Sequence, residues 1–315
     1  MLQERETEVS VIIPTKNRSE FLRRAMGSVA TQNFSSIEVC IVDNNTDSYQ
    51  NTLVHQLVEE FTFNYTNIKW IYLKSNTTFA SGARNAGIRA TSGKYICFLD
   101  DDDELLNNSI KRRVEVMEND PDLALVYCGG YTKIYSYPFK MYRFHAYNVL
   151  EKRLNMMLCA MLIRRSVIEK YQFYFDERLR RTEDYDLGKR LLMSNLKIVS
   201  FPDPLIMVNL HADPRMSTTS LDNYDFKEIL LDKWGEDAKV EMCNYAPGVI
   251  IWRKAFGIEK KSYVEVSKIL KENGYEITKS FKLKFHIASI SPMLFFFTYH
   301  IFSSAYQSYK NKKQI

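Results

Sequence analysis

The sequence predicts an α/β protein with a Rossmann-like mixed sheet between helices, followed by a helical C-terminal extension. Short apolar runs alternate with amphipathic helical patterns in the first third of the chain, and polar residues follow most of these runs. Such alternation favours parallel strands joined by helical crossovers. The chain has 315 residues, of which 45% are hydrophobic, so it can bury a full core and is not a disordered protein.

The first half supplies the parallel strands. Apolar runs predict strands over residues 9–13, 37–42, 68–73 and 95–99. Helical spacing predicts helices over residues 21–29, 48–61, 80–90 and 105–118.

After residue 118 the pattern is more irregular. Strands are predicted over residues 123–127, 156–163 and 205–210, and the chain from about residue 220 is mostly helical. We therefore expect a first domain over residues 1–219 and a helical C-terminal region over residues 220–315.

Four adjacent carboxylates, from Asp100 to Asp103, follow the fourth predicted strand. Asp100 and Asp102 project to the same side of an extended segment, and carboxylate oxygens suit Mg²⁺ or Mn²⁺. The alternative is helix capping by Asp103 and Glu104, which leaves the other three aspartates unexplained.

Other polar residues follow the strands or begin the helices. Asp43 fits hydrogen bonding to a base or ribose, or an Asx turn. Arg84 fits a phosphate or carboxylate partner, or a solvated helix face. The run from Thr182 to Asp186 fits a general base or a capping box. His211 fits a metal or phosphate ligand, or a structural role.

Four segments taken together resemble the family 2 glycosyltransferases, which have a GT-A fold. They are VSVIIPTKNR, IEVCIVDNNTDS, ASGARNAGIRATSGKYICFLDDDDEL and FDERLRRTEDYDLGKRLL, within about residues 9–211. The resemblance implies transfer of a sugar, with inversion, from a nucleotide-linked donor, commonly a UDP-sugar. The chain lacks the QxxRW motif of processive members, which implies single addition to a glycan or lipid-linked acceptor.

The resemblance also implies the roles of individual residues. Asp184 is implied as the catalytic base, Asp102 as a metal ligand with Asp100, and Asp101 as a neighbour of the ribose. His211 is implied to help hold the metal and the diphosphate. The donor pocket is implied at four further positions, namely Pro14, Thr15, Asp43 and Arg84.

One departure from the family pattern weakens inference about the nucleotide, because Asn44 stands where many relatives have a second aspartate. Two other functions remain open: a sugar-phosphate nucleotidyltransferase, and a non-catalytic protein that binds nucleotide-sugars.

The positive charge lies at the C-terminus. Residues 260–315 contain ten lysines and three glutamates, a net of +7, whereas the whole chain has +5. The uncharged run from Phe285 to Ser303 within this tail fits an interfacial segment on an anionic membrane, or a helix packed on the domain. The sequence shows no basic stripe interleaved with stacking aromatic residues, so it does not predict nucleic-acid binding.

Cysteine usage and the N-terminus bear on location. The five cysteines are scattered without a CxxC pair, and the first residues lack an apolar signal-peptide stretch. We therefore expect a cytoplasmic protein, peripheral on the inner face of the membrane.

Overall fold

The computed structural model describes residues 7–77, 79–134, 141–144, 157–210, 228–235, 262–272, 277 and 279–290. Nine strands of these residues form one mixed sheet between helices, which confirms the predicted fold class. In chain order these strands are β1 (Val9–Thr15), β2 (Ile37–Asp43), β3 (Lys69–Lys74), β4 (Tyr95–Phe98), β5 (Glu104–Leu105), β6 (Leu123–Ile134), β7 (Met141–Phe144), β8 (Met161–Arg164) and β9 (Lys197–Leu210). Their order in the sheet is β3-β2-β1-β4-β8-β6-β9-β5, and β7 pairs with β6.

The parallel part of the sheet matches the predicted strands closely. Strand β1 pairs with β2 on one side and with β4 on the other, and β2 pairs with β3, all in parallel. These strands are β1 (Val9–Thr15), β2 (Ile37–Asp43), β3 (Lys69–Lys74) and β4 (Tyr95–Phe98). Because they are parallel, their carboxyl ends lie at one edge, where Thr15 is in register with Asp43.

Three helices connect these strands, namely α1 (Ser19–Ala30), α2 (Ser48–Asn64) and α3 (Ala80–Ala90). Helix α1 buries residues at helical spacing, including Leu22, Met26 and Val29. Helix α3 packs tightly on the sheet through Gly87, where a Cβ atom would lie 2.5 Å from Ile12 Cγ2. This close approach fixes the helix that carries Arg84.

The mixed part of the sheet differs from the prediction at two sites. The strand predicted over residues 156–163 is a short 3-10 helix (Leu158–Ala160) followed by a strand (Met161–Arg164), since only residues from Met161 onward pair with neighbouring strands. The helix expected from Leu105 begins at Ser109, because Glu104–Leu105 forms strand β5 and pairs antiparallel with Met207 and Ile206. The capping role considered for Asp103 is therefore wrong: Asn108 occupies the N-cap of α4 (Ser109–Glu118), without a side-chain cap.

The remaining strands extend the sheet beyond β4. Strand β8 pairs antiparallel with β4 and β6, and β6 pairs in parallel with β9. The elements are β6 (Leu123–Ile134), β7 (Met141–Phe144), a short 3-10 helix (Leu158–Ala160), β8 (Met161–Arg164), α5 (Arg165–Tyr171), α6 (Glu183–Met193) and β9 (Lys197–Leu210).

The chain divides into two compact units, Met1–His211 and Ala212–Ile315. In the second unit the structure describes a helix α7 over residues 228–235, α8 (Tyr263–Glu272) and α9 (Lys279–Ile290). The ring of Tyr263 lies 5.8 Å from that of Phe285, which joins α8 to α9. Within the described parts of the chain, no helix has the length and apolar character needed to cross a bilayer.

A buried carboxylate holds the opposite, amino-terminal edge of the parallel strands. Glu38 is fully buried and accepts hydrogen bonds from Ser10 Oγ (2.7 Å), Ser92 N (2.6 Å) and Gly93 N (3.0 Å). Lys69 Nζ lies 3.1 Å from its other oxygen. Burial raises the pKa of Glu38, but these hydrogen bonds outweigh it and leave the pKa below its ordinary value of 4.5.

We expect Glu38→Ala to lower the free energy of unfolding by about 2–4 kcal/mol at pH 7, because buried backbone N–H groups lose their acceptor. A lowered pKa contributes stability above 4.5 that is lost as the pH falls through the folded-state value. The difference between variant and wild type should therefore shrink below pH 4.5. Urea unfolding at pH 7 and pH 4 measures the loss of stability and its dependence on pH. Glu59→Ala, at an exposed position on α2, is the control. Equal stability of Glu38→Ala and wild type at pH 7 would contradict this account.

Candidate active site

Polar side chains from β1, α3, the loop after β4 and α6 meet at the carboxyl edge of the parallel strands. Asp100 is part-exposed, whereas Asp101, Asp102 and Asp103 are buried. Carboxylate oxygens of Asp100, Asp102 and Asp103 all lie within 4.8 Å of one another. Hard oxygen donors at this spacing suit Mg²⁺ or Mn²⁺, so the residues present fit a divalent metal.

Asp103 belongs to this acidic triad, a role that the sequence analysis missed. Its carboxylate accepts a hydrogen bond from Asn209 N at 3.0 Å, and Cys159 Sγ lies 3.8 Å from its other oxygen. The Asn209 side-chain amide donates to the carbonyl of Asp102 and to Glu104 Oε1, both at 2.9 Å. Strand β9 thus orients residues 100–104, the acidic loop, through Asn209.

Asp101 connects the acidic loop to the end of β1. Thr15 Oγ1 donates to Asp101 Oδ2 at 2.8 Å, and Arg18 Nη1 lies 3.2 Å from Asp101 Oδ1 and 3.1 Å from Asp102 Oδ2. Burial raises the pKa of Asp101 to about 7, although Arg18 opposes the shift. Arg18 lies in the loop directly after the first predicted strand, but its sequence position alone predicts no role for it.

Arg84 bridges the acidic loop and the first turn of α6. Its Nη2 donates to Asp100 Oδ1 and its Nη1 to Glu183 Oε1, both at 2.8 Å. The guanidinium lies over the Phe175 ring, 5.5 Å from its centroid, and Arg84 is only 5% exposed. The solvated helix face considered for Arg84 is therefore wrong. Burial lowers its pKa, but the two carboxylates outweigh burial and raise it.

Asp184 lies in the first turn of α6, beside the Arg84 partner Glu183. Burial, followed by repulsion from Glu183, raises the pKa of Asp184 to about 7. A carboxylate with this pKa can accept a proton near neutral pH. Thr182 is the N-cap of α6 and acids occupy its first turn, as the capping alternative predicted, but Thr182 has φ 60° and makes no side-chain cap, so the reciprocal hydrogen bonds of a capping box are not formed.

Asp43 is fully buried at the end of β2. Its Oδ1 accepts from Asn45 N at 2.9 Å, which confirms the Asx turn, and its Oδ2 accepts from Tyr72 Oη at 2.8 Å. Burial, followed by this hydrogen bond, raises the pKa of Tyr72 to about 12. Pro14 lies in β1, opposite Val42 of β2. His211 lies outside the described residues.

Comparisons with known proteins identify the family. A family model described as glycosyl transferase family 2 matches residues 10–172, just over half of the chain. The chain is similar to an uncharacterised glycosyltransferase of Rickettsia prowazekii, with 25% identity over 87% of this chain and 83% of the relative. It is also similar to a GalNAc(5)-diNAcBac-PP-undecaprenol beta-1,3-glucosyltransferase of Campylobacter jejuni, with 32% identity over 33% of this chain and 32% of the relative.

Solved structures show the same fold. The chain is similar to S. aureus TarS 1-349 in complex with UDP-GlcNAc, with a TM-score of 0.59 and 18% identity over 90% of this chain and 79% of that one. It is also similar to the mannosyltransferase PcManGT of Pyrobaculum calidifontis in complex with GDP-Man and Mn²⁺, with a TM-score of 0.54 and 13% identity over 90% and 84%. The mixed sheet thus has the GT-A architecture expected from the sequence, and the chain belongs to glycosyl transferase family 2.

Proposed function

We propose that this glycosyltransferase moves a sugar, with inversion and in the presence of a divalent metal, from a nucleotide-linked donor to an acceptor hydroxyl. The observation that carries the proposal is the continuous cluster formed by the acidic triad, Arg84 and the first turn of α6. Arg84 contacts both Asp100 and Glu183, so it holds a metal-binding loop beside Asp184, whose pKa of about 7 suits a base.

Metal binding is assigned to Asp102 and Asp100, together with His211. The geometry adds Asp103 as a third carboxylate of the triad. A bound Mn²⁺ or Mg²⁺ would neutralise the negative charge that develops on the departing diphosphate. The three carboxylates would hold the cation, and the hydrogen bond from Asn209 N fixes the position of the Asp103 carboxylate.

Donor binding is assigned to the carboxyl ends of β1 and β2, to the loop after β4 and to Arg84 of α3. Pro14, Thr15 and Asp43 line the pocket for the base and ribose, and Asp101 lies beside the ribose. Arg84 contributes positive charge near the phosphates. A UDP-linked donor is favoured, because a structural neighbour of the same fold binds UDP-GlcNAc.

The reaction is a direct displacement. Asp184 takes the proton from the acceptor hydroxyl while that oxygen forms a bond to the anomeric carbon. The bond from this carbon to the diphosphate oxygen breaks in the same step, and the nucleoside diphosphate leaves with the electron pair. Attack from the face opposite the leaving group inverts the anomeric configuration.

A thermal-shift panel of nucleotides and nucleotide-sugars, with and without Mn²⁺, tests the donor assignment. A ligand that binds only the folded state raises the melting temperature according to its concentration relative to Kd. We expect one UDP-sugar to raise Tm by several degrees only when Mn²⁺ is present. Equal, small shifts for every nucleotide would argue against a nucleotide-sugar site. A metal-dependent shift with a different nucleotide-sugar would change only the assignment of uracil as the base of the donor.

We also propose a lipid-linked or glycan acceptor at the inner face of the cytoplasmic membrane. The Campylobacter relative is named for an undecaprenol-linked substrate. On α9 of the second unit, Leu283 and Ile290 are 63% and 83% exposed, and Lys282 and Lys284 beside Leu283 are exposed too. Apolar side chains flanked by lysines fit the surface of an anionic bilayer. The part of the predicted interfacial run from residue 291 onward lies outside the described residues.

The double variant Leu283→Glu with Ile290→Glu is expected to bind phosphatidylglycerol vesicles at least about tenfold more weakly than wild type. The change replaces two apolar side chains, which would be buried in the bilayer surface, with carboxylates that an anionic surface repels. Co-sedimentation measures the effect, and Phe63→Glu, at an 83% exposed position on α2, is the matched control. Unchanged binding by the double variant would show that this face does not contact the membrane.

A further inference from the structure

One carboxylate proposed to hold the metal, that of Asp102, already has Arg18 beside it, and Arg18 also contacts the neighbouring Asp101. Its Nη1 lies 3.2 Å from Asp101 Oδ1 and 3.1 Å from Asp102 Oδ2. The side chain of Arg18 is 21% exposed, whereas those of Asp101 and Asp102 are both 7% exposed. A guanidinium therefore covers the inner part of the acidic loop from its solvent side.

Two neighbouring arginines are placed differently. Arg84 is almost fully buried and is held between Asp100 and Glu183. Arg24 contacts the acidic loop through Glu104 and the backbone carbonyl of Asp102. Arg18 contacts a carboxylate oxygen of Asp102, unlike Arg24, and it is more exposed than Arg84.

In this geometry Arg18 and a divalent metal would compete for the Asp102 carboxylate. A metal ion and a guanidinium that share the Asp102 carboxylate repel each other at short range, and partial burial strengthens that repulsion. A diphosphate relieves it, because its oxygens accept the two-pronged hydrogen bonds that a guanidinium donates well. Metal and diphosphate should then bind more tightly together than either binds alone.

We propose that Arg18 is the internal counter-ion of Asp101 and Asp102, and that it transfers its hydrogen bonds to the donor diphosphate when a divalent metal binds Asp102. The proposal rests on the metal and donor sites of the proposed function. It predicts that Arg18 weakens the binding of metal when no donor is present. It also predicts that Arg18 contributes part of the affinity for donor when metal is bound. Reciprocal coupling between two ligands follows from thermodynamic linkage.

The test measures Mn²⁺ binding by electron paramagnetic resonance of free Mn²⁺, and binding of UDP and GDP by titration calorimetry with Mn²⁺ present. We expect Arg18→Gln to bind Mn²⁺ alone about tenfold more tightly than wild type, and its preferred nucleoside diphosphate about tenfold more weakly. Arg23→Gln is the matched control, because Arg23 lies in the helix that Arg18 precedes but pairs with exposed Glu60. The control should stay within about twofold of wild type.

A second variant guards against misfolding of the first. Arg18→Lys keeps the charge but loses the fork, so its affinity for Mn²⁺ alone should match wild type while nucleotide binding weakens. Opposite changes in metal and nucleotide affinity for Arg18→Gln support the proposal. Unchanged or weaker Mn²⁺ binding overturns it, and so does unchanged nucleotide binding. Wild-type binding itself reports separately on the proposed function: a wild-type protein that binds neither Mn²⁺ nor nucleotide overturns both.

Discussion

Asp184→Asn is expected to lower kcat by about 10³-fold while donor affinity stays within about threefold of wild type. General-base catalysis contributes about 10²- to 10⁴-fold, and an amide cannot accept the acceptor proton. Asparagine has nearly the same volume as aspartate and can still accept from Tyr185 N, which donates to Asp184 Oδ1 at 2.8 Å. Steady-state rates of nucleoside diphosphate release, combined with calorimetric titration of donor, separate the two effects.

Asp122→Asn provides the matched control for this variant, because Asp122 lies in the exposed loop before β6. It should leave both constants unchanged. Turnover by Asp184→Asn at a rate near that of wild type would remove Asp184 from the role of base. A loss of donor affinity with little change in kcat would instead assign it to binding.

The same assignment predicts the pH dependence of kcat. Burial raises the pKa of Asp184 to about 7, and only the ionised carboxylate can accept a proton. The rate should therefore rise as the pH increases through about 7 and level off above it. In Asp184→Asn the residual rate should lack this step. A wild-type profile that is flat between pH 5 and pH 8 would contradict the assignment.

Asp102→Asn is expected to have the second largest effect, a loss of at least about 10²-fold in donor affinity and in turnover with Mn²⁺ present. The substitution removes a negative charge and one hard oxygen from the acidic triad, which weakens a divalent metal strongly. Mn²⁺ titration with donor present measures the change directly. Asp203→Asn, which removes an exposed partner of Arg112, is the control.

Metal affinity equal to wild type in Asp102→Asn would show that Asp102 is not a ligand. The result is informative because the acidic loop offers other carboxylates. If Asp100→Asn then lost metal binding instead, the ligand set would shift to Asp100 and Asp103, which are also part of the triad.

Local patterns were sufficient to predict the parallel strands but not the mixed part of the sheet. The run from Leu105 to Glu118 has apolar residues at helical spacing, so its first residues were assigned to a helix. In the structure Glu104–Leu105 pairs with β9, about 100 residues further along the chain. A partner at that distance leaves no mark on a local periodicity, and the helix begins only at Ser109.

The sequence was sufficient to predict most residues of the candidate site, but not which of them contact one another. Strand order brings the ends of β1, β2 and β4 to one edge, which placed Thr15, Asp43 and the acidic run near one another in advance. The bridge from Arg84 to Glu183 joins residues 99 positions apart, so sequence spacing could not reveal it. Asp103 was misassigned for the same reason, since its partner Asn209 lies 106 positions away.

The division of charge is consistent with this arrangement. Carboxylates at the site pair with Arg18 before α1, with Arg24 of α1 and with Arg84 of α3, so the catalytic region can be slightly acidic while its acidic loop remains paired. The excess of lysine is confined to residues 260–315. The two features therefore point to different partners, a metal-bound donor and an anionic surface.

Product analysis with a nucleotide-sugar donor tests the central claim most directly. Purified protein, Mn²⁺, a panel of UDP- and GDP-sugars and a lipid-linked acceptor extract would be followed by phosphorus and proton NMR. The account predicts metal-dependent release of nucleoside diphosphate, together with a new glycosidic bond of inverted anomeric configuration. Release of pyrophosphate from a nucleoside triphosphate and a sugar 1-phosphate, without glycosyl transfer from any nucleotide-sugar, would contradict it.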